Sequence, residues 1–229
     1  MLHTWHDLLF MHWPVPVGAV KGLLPPTVEI DTFDGQAWVG VVPFRISGIR
    51  MRGLPPLPLV SSFAEVNLRT YVTVRGKPGV WFVSLDADSR FNVSVARAWY
   101  RLRYYFADIV CGRHDDTVGF ASRRARAATR PAELCSRYRP NGRLEPARRG
   151  TLEHWLTERY CLYTTGRGGE RFRAEIHHEP WPLRSAEAEI EVNTLAAAGG
   201  IVLPDEPPLL HYADRIDVAV WSLERDRRA

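Results

Sequence analysis

Lysine is nearly absent from this sequence. It occurs only at Lys21 and Lys77, so arginine supplies almost all of the positive charge in a chain with 30 basic and 26 acidic residues. An enzyme that forms an imine with its substrate needs a buried lysine whose pKa is lowered by its surroundings. Lys77 lies between Gly76 and Pro78, a pattern typical of a solvated turn, and Lys21 falls on a short predicted helix. The sequence therefore argues against imine chemistry.

Cysteine is scarce as well. Cys111, Cys135 and Cys161 are widely spaced and form no C-x-x-C pair, which predicts free thiols in a reducing compartment and neither a disulfide framework nor a zinc site. No apolar run approaches the roughly 20 residues needed to cross a bilayer. The first residues also lack the basic start and apolar run of a signal peptide. We therefore predict a cytoplasmic protein with no membrane partner.

The formal net charge of +4 is unevenly distributed. Residues 113–149 contain ten arginines and four acidic residues, a local charge of +6, so the rest of the chain carries −2. A basic patch of this kind attracts phosphate. However, no aromatic residues that would stack on bases are interleaved with the arginines, and no recognition helix accompanies them. We predict no nucleic-acid partner; the alternative use of this segment is as the interface of a homo-oligomer.

The pattern of the chain predicts an α+β protein in which strands dominate. With 229 residues and no internal repeat or linker, we predict a single domain, 1–229. An aromatic-rich opening at 5–13 is followed by Pro14 and Pro16, which we expect to interrupt regular structure. Strands are predicted at residues 27–33, 37–46, 63–72, 80–86, 118–124, 133–139, 159–165, 171–178 and 215–223. Helices are predicted at residues 17–24, 92–106 with Asn92 as its N-cap, 152–159 and 186–198.

The predicted strand 63–72 has two unlike faces. One face carries ordinary core residues: Ala64, Val66, Leu68, Thr70 and Val72. The other face carries an acid, an amide, a guanidinium and a phenol: Phe63, Glu65, Asn67, Arg69 and Tyr71. These side chains are typical of a pocket wall. The alternative is a solvated face held by cross-strand ion pairs.

With these segments in view, the chain resembles the YqjF-like family of uncharacterised bacterial proteins, which is similar to the acetoacetate-decarboxylase-like superfamily. The resemblance covers almost the whole chain and implies a cone-shaped antiparallel barrel with a central cavity and a few outer helices. The segments that carry it are 31–44 (DTFDGQAWVGVVPF), 65–72 (EVNLRTYV), 79–87 (GVWFVSLDA), 158–160 (ERY), 180–183 (PWPL) and 207–212 (PPLLHY).

The resemblance also implies where a site would lie. The decarboxylase template uses a Schiff-base lysine, and its cavity glutamate corresponds to Glu65. The arginine of the template corresponds to Arg97, and its lysine pair corresponds to Tyr104 and Tyr105. A tyrosine cannot form an imine, so acetoacetate-type decarboxylation is not expected here.

From these residues we predict a site without imine chemistry. Glu65 would act as acid or base, because a barrel interior raises the pKa of a carboxyl group. Arg69 would hold a substrate carboxylate, and Tyr104 would serve as a general acid or hydrogen-bond donor. The remaining substrate-binding candidates are Asn67, Tyr71 and Arg97. Alternatively, the carboxylate and guanidinium only fix strand register, and the tyrosine only caps the core.

No metal or cofactor is predicted. His177, His178 and Glu179 are adjacent, but neighbouring residues on a strand point to opposite faces and cannot share one ion. No glycine-rich phosphate loop is present.

The sequence leaves three functions open. The first is a cavity that binds a small organic acid or carbonyl compound, with lyase- or hydrolase-like acid–base chemistry. The second is a non-catalytic binding or sensing protein that kept the cavity. The third is a structural subunit of an oligomer.

Overall fold

Strands dominate the computed structural model, which describes residues 1–56, 61–125, 130–166 and 168–226. The strands of the described part are β1 Leu2–Val15, β2 Glu29–Ile30, β3 Ala37–Arg50, β4 Phe63–Val74, β5 Lys77–Ala87, β6 Tyr104–His114, β7 Thr117–Arg124, β8 Glu133–Asn141, β9 Cys161–Thr165, β10 Arg171–His177, β11 Arg184–Asn193, β12 Leu209–Val220 and β13 Glu224–Arg225. Its helices are α1 Val17–Lys21, α2 Arg90–Tyr100, α3 Leu152–Thr157 and α4 Leu195–Ala198.

The strands form one sheet that closes twice. Its order is β13-β10-β9-β5-β6-β7-β8-β11-β12-β1-β3-β4-β2. The pairing of β4 with β5 closes a nine-strand ring that contains β6, β7, β8 and β11. The pairing of β10 with β12 closes a seven-strand ring that contains β9 and β10. The two rings share β12, β1, β3, β4 and β5. The predicted α+β class in which strands dominate is thus confirmed, although β5 pairs in parallel with both β6 and β9.

The shared strands are buried on both faces because each face lines a different ring. On β4, Val66 and Leu68 belong to one hydrophobic cluster. Glu65, Asn67 and Arg69 point the other way and are 3%, 4% and 9% exposed. The two faces predicted for 63–72 are confirmed, and the alternative of a solvated face is wrong.

Each ring has its own hydrophobic core. The same alternation divides β1, where Leu9 and Met11 join the cluster that includes Val118, Phe120 and Leu134 of the nine-strand ring. Leu8 and Phe10 of β1 join the second cluster, with Leu162, Ile176 and Val218 of the seven-strand ring. The second cluster surrounds the cavity described below.

The helix predicted at 186–198 is wrong. Residues Arg184–Asn193 form β11, which pairs with β8, and only Leu195–Ala198 are helical. The burial along β11 alternates with period two: Ala186, Ala188 and Ile190 are half-buried while the glutamates between them are exposed. Alanine and glutamate favour helices, but the alternation and the pairing with β8 outweigh that propensity.

The helix predicted at 92–106 starts earlier and ends sooner than expected. Ser89, not Asn92, is the N-cap, and its hydroxyl accepts a hydrogen bond from the amide of Asn92. The helix ends at Tyr100, and the next residue, Arg101, adopts a left-handed conformation with φ of 54°. Tyr104 consequently begins β6 and faces Leu85 of β5 in register.

The aromatic opening belongs to β1, a 14-residue strand that continues through Pro14. Pro14 is tolerated because the pairing with β12 stops at His12, so no ladder hydrogen bond is needed from residue 14 on that side. Pro16 precedes α1 and interrupts the strand as expected. The N-terminal prediction was therefore wrong for Pro14 only.

Gly79 marks a close approach between β5 and β9. A Cβ atom at this position would lie 2.6 Å from the carbonyl oxygen of Cys161 and 2.7 Å from Cε2 of Tyr163. The parallel pairing of β5 with β9 therefore depends on the absence of a side chain here.

The arginine-rich segment 113–149 is partly neutralised where it is described. On its surface Arg123 pairs with Glu133, while Arg139 pairs with Glu187 of β11. Residues 126–129 of this segment lie outside the described residues. No helix in the described part of the chain is long and apolar enough to span a membrane.

Candidate functional site

The seven-strand ring surrounds a cavity of about 150 Å³ that is partly open to solvent. Every strand of the ring contributes to its lining, as do residues of α2 and residues around the end of α3. The lining also includes Met1, Tyr104, His178 and Trp181. An apolar cavity of about this volume accommodates a molecule of roughly the size of benzene. Most of the lining is hydrophobic, but the polar face of β4 runs along one side.

Glu65 is a buried acid held by Tyr104. The Tyr104 hydroxyl donates a 2.8 Å hydrogen bond to Oε2 of Glu65. Burial raises the pKa of Glu65 to about 8; the nearby carboxylate of Asp86 raises it further, while the hydrogen bond from Tyr104 opposes the shift. Burial also raises the pKa of Tyr104 well above its ordinary value. At pH 7 the Glu65–Tyr104 pair is therefore mostly neutral and holds an exchangeable proton.

A buried ion pair supports this end of the cavity from the other ring. Arg124 donates hydrogen bonds of 2.7 to 3.1 Å to both carboxylate oxygens of Asp86, and its guanidinium lies 4.0 Å from the ring centroid of Tyr105. Burial raises the pKa of Asp86, although the hydrogen bonds and the charge of Arg124 oppose this shift. Sequence patterns gave no indication of this pair, because its members are 38 positions apart.

Arg69 lies at the other end of the polar face. Its guanidinium carbon is 5.3 Å from the ring centroid of Phe10 and 5.7 Å from that of Tyr71. Its Nε is buried without a hydrogen-bond acceptor. Within the described residues no carboxylate forms an ion pair with Arg69. The positive charge of Arg69 therefore lies at the cavity without a carboxylate partner among the described residues.

Arg159 is a second cavity arginine that the sequence analysis did not identify as a site residue. Nη1 donates to Asp31 and Nε to the carbonyl of Trp155, both at 2.6 Å, while Nη2 is buried without a partner. The guanidinium lies between the rings of Trp155 and Tyr71, at 4.3 and 5.1 Å. Burial lowers the pKa of Arg159, and the charge of Arg69 adds to this effect against the pull of Asp31. No local sequence signal reveals these contacts, because they join distant segments.

The other predicted substrate-binding residues separate into two groups. Asn67 lines the cavity, and its buried Oδ1 has no hydrogen-bond partner. Tyr71 and Arg97 are not among the described residues that line it. The Tyr71 hydroxyl shares a 2.6 Å hydrogen bond with Nε2 of His12, and Arg97 donates from Nε to the backbone carbonyl of Tyr104.

Four aromatic rings form a continuous wall of the cavity, which we call the aromatic wall: Phe10, Trp181, Trp5 and Phe44. The ring centroids of Phe10 and Trp181 are 4.9 Å apart, those of Trp181 and Trp5 are 6.0 Å apart, and those of Trp5 and Phe44 are 5.2 Å apart. All four residues line the cavity.

Both lysines of the chain lie away from this lining. Nζ of Lys77 is 2.6 Å from both carboxylate oxygens of Glu175, and Lys21 is an exposed residue at the end of α1. No lysine amine is therefore provided by the cavity wall; the one amine among its described lining residues is the α-amino group of Met1, which donates a hydrogen bond to the carbonyl of Val220.

The described residues contain no cluster of three or more histidine, cysteine or acidic side chains arranged to hold a metal ion. His178 lines the cavity, with its ring 4.9 Å from that of Trp181, and its Nδ1 donates to the Glu179 carbonyl. His177 instead contacts the ring of Trp221.

Three comparisons place this geometry among known proteins. The uncharacterised protein YqjF of Bacillus subtilis strain 168 is 46% identical over 225 residues, which cover 98% of this chain and 92% of YqjF. The enduracididine biosynthesis enzyme MppR, complexed with the condensation product of pyruvate and imidazole 4-carboxaldehyde, superposes with a TM-score of 0.68 at 12% identity, covering 98% of this chain and 88% of MppR. An acetoacetate decarboxylase-like enzyme from Sphingomonas wittichii RW1 superposes with a TM-score of 0.62 at 16% identity, covering 100% and 94%.

The two structural matches show a shared fold at low sequence identity. The family is shown by the sequence itself: residues 3–217 match the DUF2071 family of uncharacterised conserved proteins. Together with the identity to YqjF, this match shows that the chain belongs to the DUF2071 family, with the fold of the acetoacetate-decarboxylase-like enzymes.

Proposed function

We propose that the cavity binds a small organic acid and that Arg69 holds its carboxylate. The observation that carries the proposal is the buried guanidinium of Arg69, which has no ion-pair partner among the described residues. A buried charge without a partner is unfavourable by several kcal/mol. A carboxylate would remove that cost and form charge-assisted hydrogen bonds with the guanidinium.

The charges around the cavity support an anion over a neutral ligand. Asp31 compensates Arg159, and Glu65, with a pKa of about 8, is mostly protonated at pH 7. Arg69 therefore leaves the cavity with an excess of positive charge. The bound ligand of MppR, a condensation product of pyruvate, supports an organic acid as the class of ligand.

The Glu65–Tyr104 pair supports acid–base chemistry on such a ligand. A carboxyl group with a pKa near the working pH is suited to donate a proton to a carbonyl oxygen and to take one back. Tyr104 donates to the carboxylate form of Glu65 and so stabilises it after the proton has left. Imine formation is not part of the proposal, because Lys77 is paired with Glu175 outside the cavity lining.

A second function, non-catalytic binding or sensing, is favoured by the same placement of the lysines. A cavity that has the fold of a decarboxylase-like enzyme but lacks a lining lysine fits a protein that kept binding and lost the original chemistry. The two functions share Arg69 and differ in what happens to the acid after binding.

The proposal is tested by thermal-shift titration with pyruvate, lactate and phenylpyruvate. A ligand at a hundred times its Kd adds about 2.7 kcal/mol to the stability of the native state. We expect the shift to disappear in Arg69→Met and to persist in Arg143→Met, which removes an exposed arginine. Equal shifts in Arg69→Met would reject the proposal.

Turnover separates the two functions. The acid that binds is incubated with the protein and followed by proton NMR, with Glu65→Gln as the comparison. Conversion that is lost in Glu65→Gln supports acid–base catalysis. Binding without conversion supports the non-catalytic function.

A further inference from the structure

The two polar ends of the cavity are far apart. Glu65 and Arg69 are four residues apart on the same face of β4, which corresponds to roughly 13 Å along an extended strand. The guanidinium of Arg69 lies beside the ring of Tyr71, two residues further along β4, whereas the carboxyl group of Glu65 is held by Tyr104, so we expect a three-carbon acid bound at Arg69 to be too short to contact both groups. A ligand that contacts both ends must be longer.

The aromatic wall connects these two ends. At one end, the Phe10 ring lies under the guanidinium of Arg69. At the other end, Phe44 faces Glu65 directly across the β3–β4 pair, where side chains on one face are neighbours. Between them, Trp181 and Trp5 continue the row of rings. The space between the two polar ends is therefore bounded by hydrocarbon and aromatic surface.

We infer that the acid bound in this cavity is elongated and amphipathic. Its carboxylate lies at Arg69, its aromatic or branched hydrocarbon body lies against the aromatic wall, and an oxygen function at its far end faces Glu65 and Tyr104. This inference rests on the proposed function, since it uses the same carboxylate site. It adds that the short acids pyruvate and acetate are poor ligands.

The apolar wall gives the body of the ligand a large share of the affinity. Each buried methylene group contributes about fourfold in affinity, and the rings of the aromatic wall offer surfaces against which a phenyl ring can pack. At the far end, a hydroxyl or carbonyl oxygen would exchange hydrogen bonds with the protonated Glu65 and the Tyr104 hydroxyl. A methyl group at that point would instead leave these buried polar groups without a ligand partner.

Calorimetric titration with acids of increasing length tests the inference. The probes are acetate, phenylacetate, 3-phenylpropionate, 3-(4-hydroxyphenyl)propionate and 3-(4-methylphenyl)propionate. We expect 3-phenylpropionate to bind at least tenfold more tightly than acetate. We also expect the 4-hydroxyl compound to bind more tightly than its 4-methyl analogue. Equal affinity for acetate and 3-phenylpropionate would overturn the aromatic-wall part, and tighter binding of the 4-methyl analogue would overturn the far-end part.

Variants distinguish this inference from the proposed function. Phe44→Leu removes one ring of the aromatic wall, and we expect it to weaken 3-phenylpropionate about three- to tenfold while leaving acetate unchanged. Phe91→Leu is the matched control, because Phe91 is 56% exposed on α2 and does not line the cavity. If all acids lose affinity in Arg69→Met but chain length has no effect, only the inference fails. If Arg69→Met binds every acid as the native protein does, the proposed function itself fails.

Discussion

The hydroxyl of Tyr104 donates a 2.8 Å hydrogen bond to Glu65 although the two residues lie on strands that do not pair with each other. Glu65 belongs to β4 and Tyr104 to β6, and both strands pair with β5. The parallel β5–β6 pairing begins at Tyr104 and so places its side chain at the end of the cavity. The acid and its donor are therefore fixed by sheet register and do not depend on a mobile loop.

Stability should fall as the pH rises, because of Glu65. An unfolded glutamate releases its proton near its ordinary pKa of 4.5, whereas folded Glu65 keeps it up to about 8. Between these values the native state binds more protons than the unfolded state, so the free energy of unfolding decreases with increasing pH. Urea denaturation at several pH values should show this slope in the native sequence and a weaker slope in Glu65→Gln.

Glu189→Gln is the control for this experiment, because Glu189 is exposed on β11. It should keep the slope of the native protein between pH 4.5 and 8. If Glu65→Gln and the native protein lose stability in parallel over this range, the proton is not held by Glu65.

Removal of the Tyr104 hydroxyl should raise the pKa of Glu65 further, because the hydrogen bond from Tyr104 favours the charged carboxylate. Carbon-13 NMR titration of the glutamate carboxyl groups measures this shift in Tyr104→Phe. Tyr105→Phe is the matched control, since the ring of Tyr105 lies against Arg124. A lower pKa for Glu65 in Tyr104→Phe would contradict the role given to the hydrogen bond.

Replacement of Arg124 should lower the stability of the protein far more than replacement of Arg69, although both arginines are buried. Arg124 is paired with Asp86, so Arg124→Met leaves a buried carboxylate alone and should cost about 3–5 kcal/mol. Arg69 has no such partner in the described residues, so Arg69→Met should change the stability of the ligand-free protein by less than about 1 kcal/mol or increase it. Denaturant titration of both variants gives the comparison. If Arg69→Met lowered the stability as much as Arg124→Met does, the positive charge of Arg69 would have to be compensated by another group of the protein.

Neither lysine should form a covalent imine with a keto acid. Lys77 is held by Glu175 and Lys21 is exposed, and neither lines the cavity. Borohydride reduction in the presence of phenylpyruvate, followed by mass spectrometry of the protein's peptides, should leave both lysines unmodified. An adduct that maps to either lysine would contradict this prediction.

Gly79→Ala should destabilise the protein by about 1–3 kcal/mol, because the added methyl group meets the carbonyl oxygen of Cys161. Gly112→Ala is the control, since a Cβ atom there has no atom within 4 Å. Its effect should stay below about 1 kcal/mol. Equal unfolding midpoints for the two variants would show that β5 and β9 can separate to admit the methyl group.

The sequence predicts most reliably where one periodicity extends over a whole element. Strand 63–72 alternates throughout, so its buried polar face was identified from the sequence. In contrast, Leu102 and Phe106 continued a helical spacing by coincidence, which hid the strand that carries Tyr104. The alanines and glutamates of β11 favour a helix by their intrinsic propensity, which does not include the pairing of this segment with β8.

Local sequence patterns do not predict contacts between segments that are far apart in the chain. The position of Arg159 depends on Asp31, which is 128 residues away. The closure of the seven-strand ring joins β10 to β12, and short motifs do not specify it. The roles predicted for Asn67, Tyr71 and Arg97 remain predictions, although only Asn67 of these three lies in the cavity wall.

The central place of β1 in the sheet has a consequence for synthesis of the chain. One edge of β1 pairs with β12, with Leu2 opposite Ala219. A ribosome that adds 5–20 residues per second needs roughly 10–40 s to make the intervening chain. During that time the backbone N–H and C=O groups on this edge of β1 have no β12 to pair with. Neither ring can close until synthesis reaches β12, so folding is expected to be late and slow, and nascent chains should depend on chaperones.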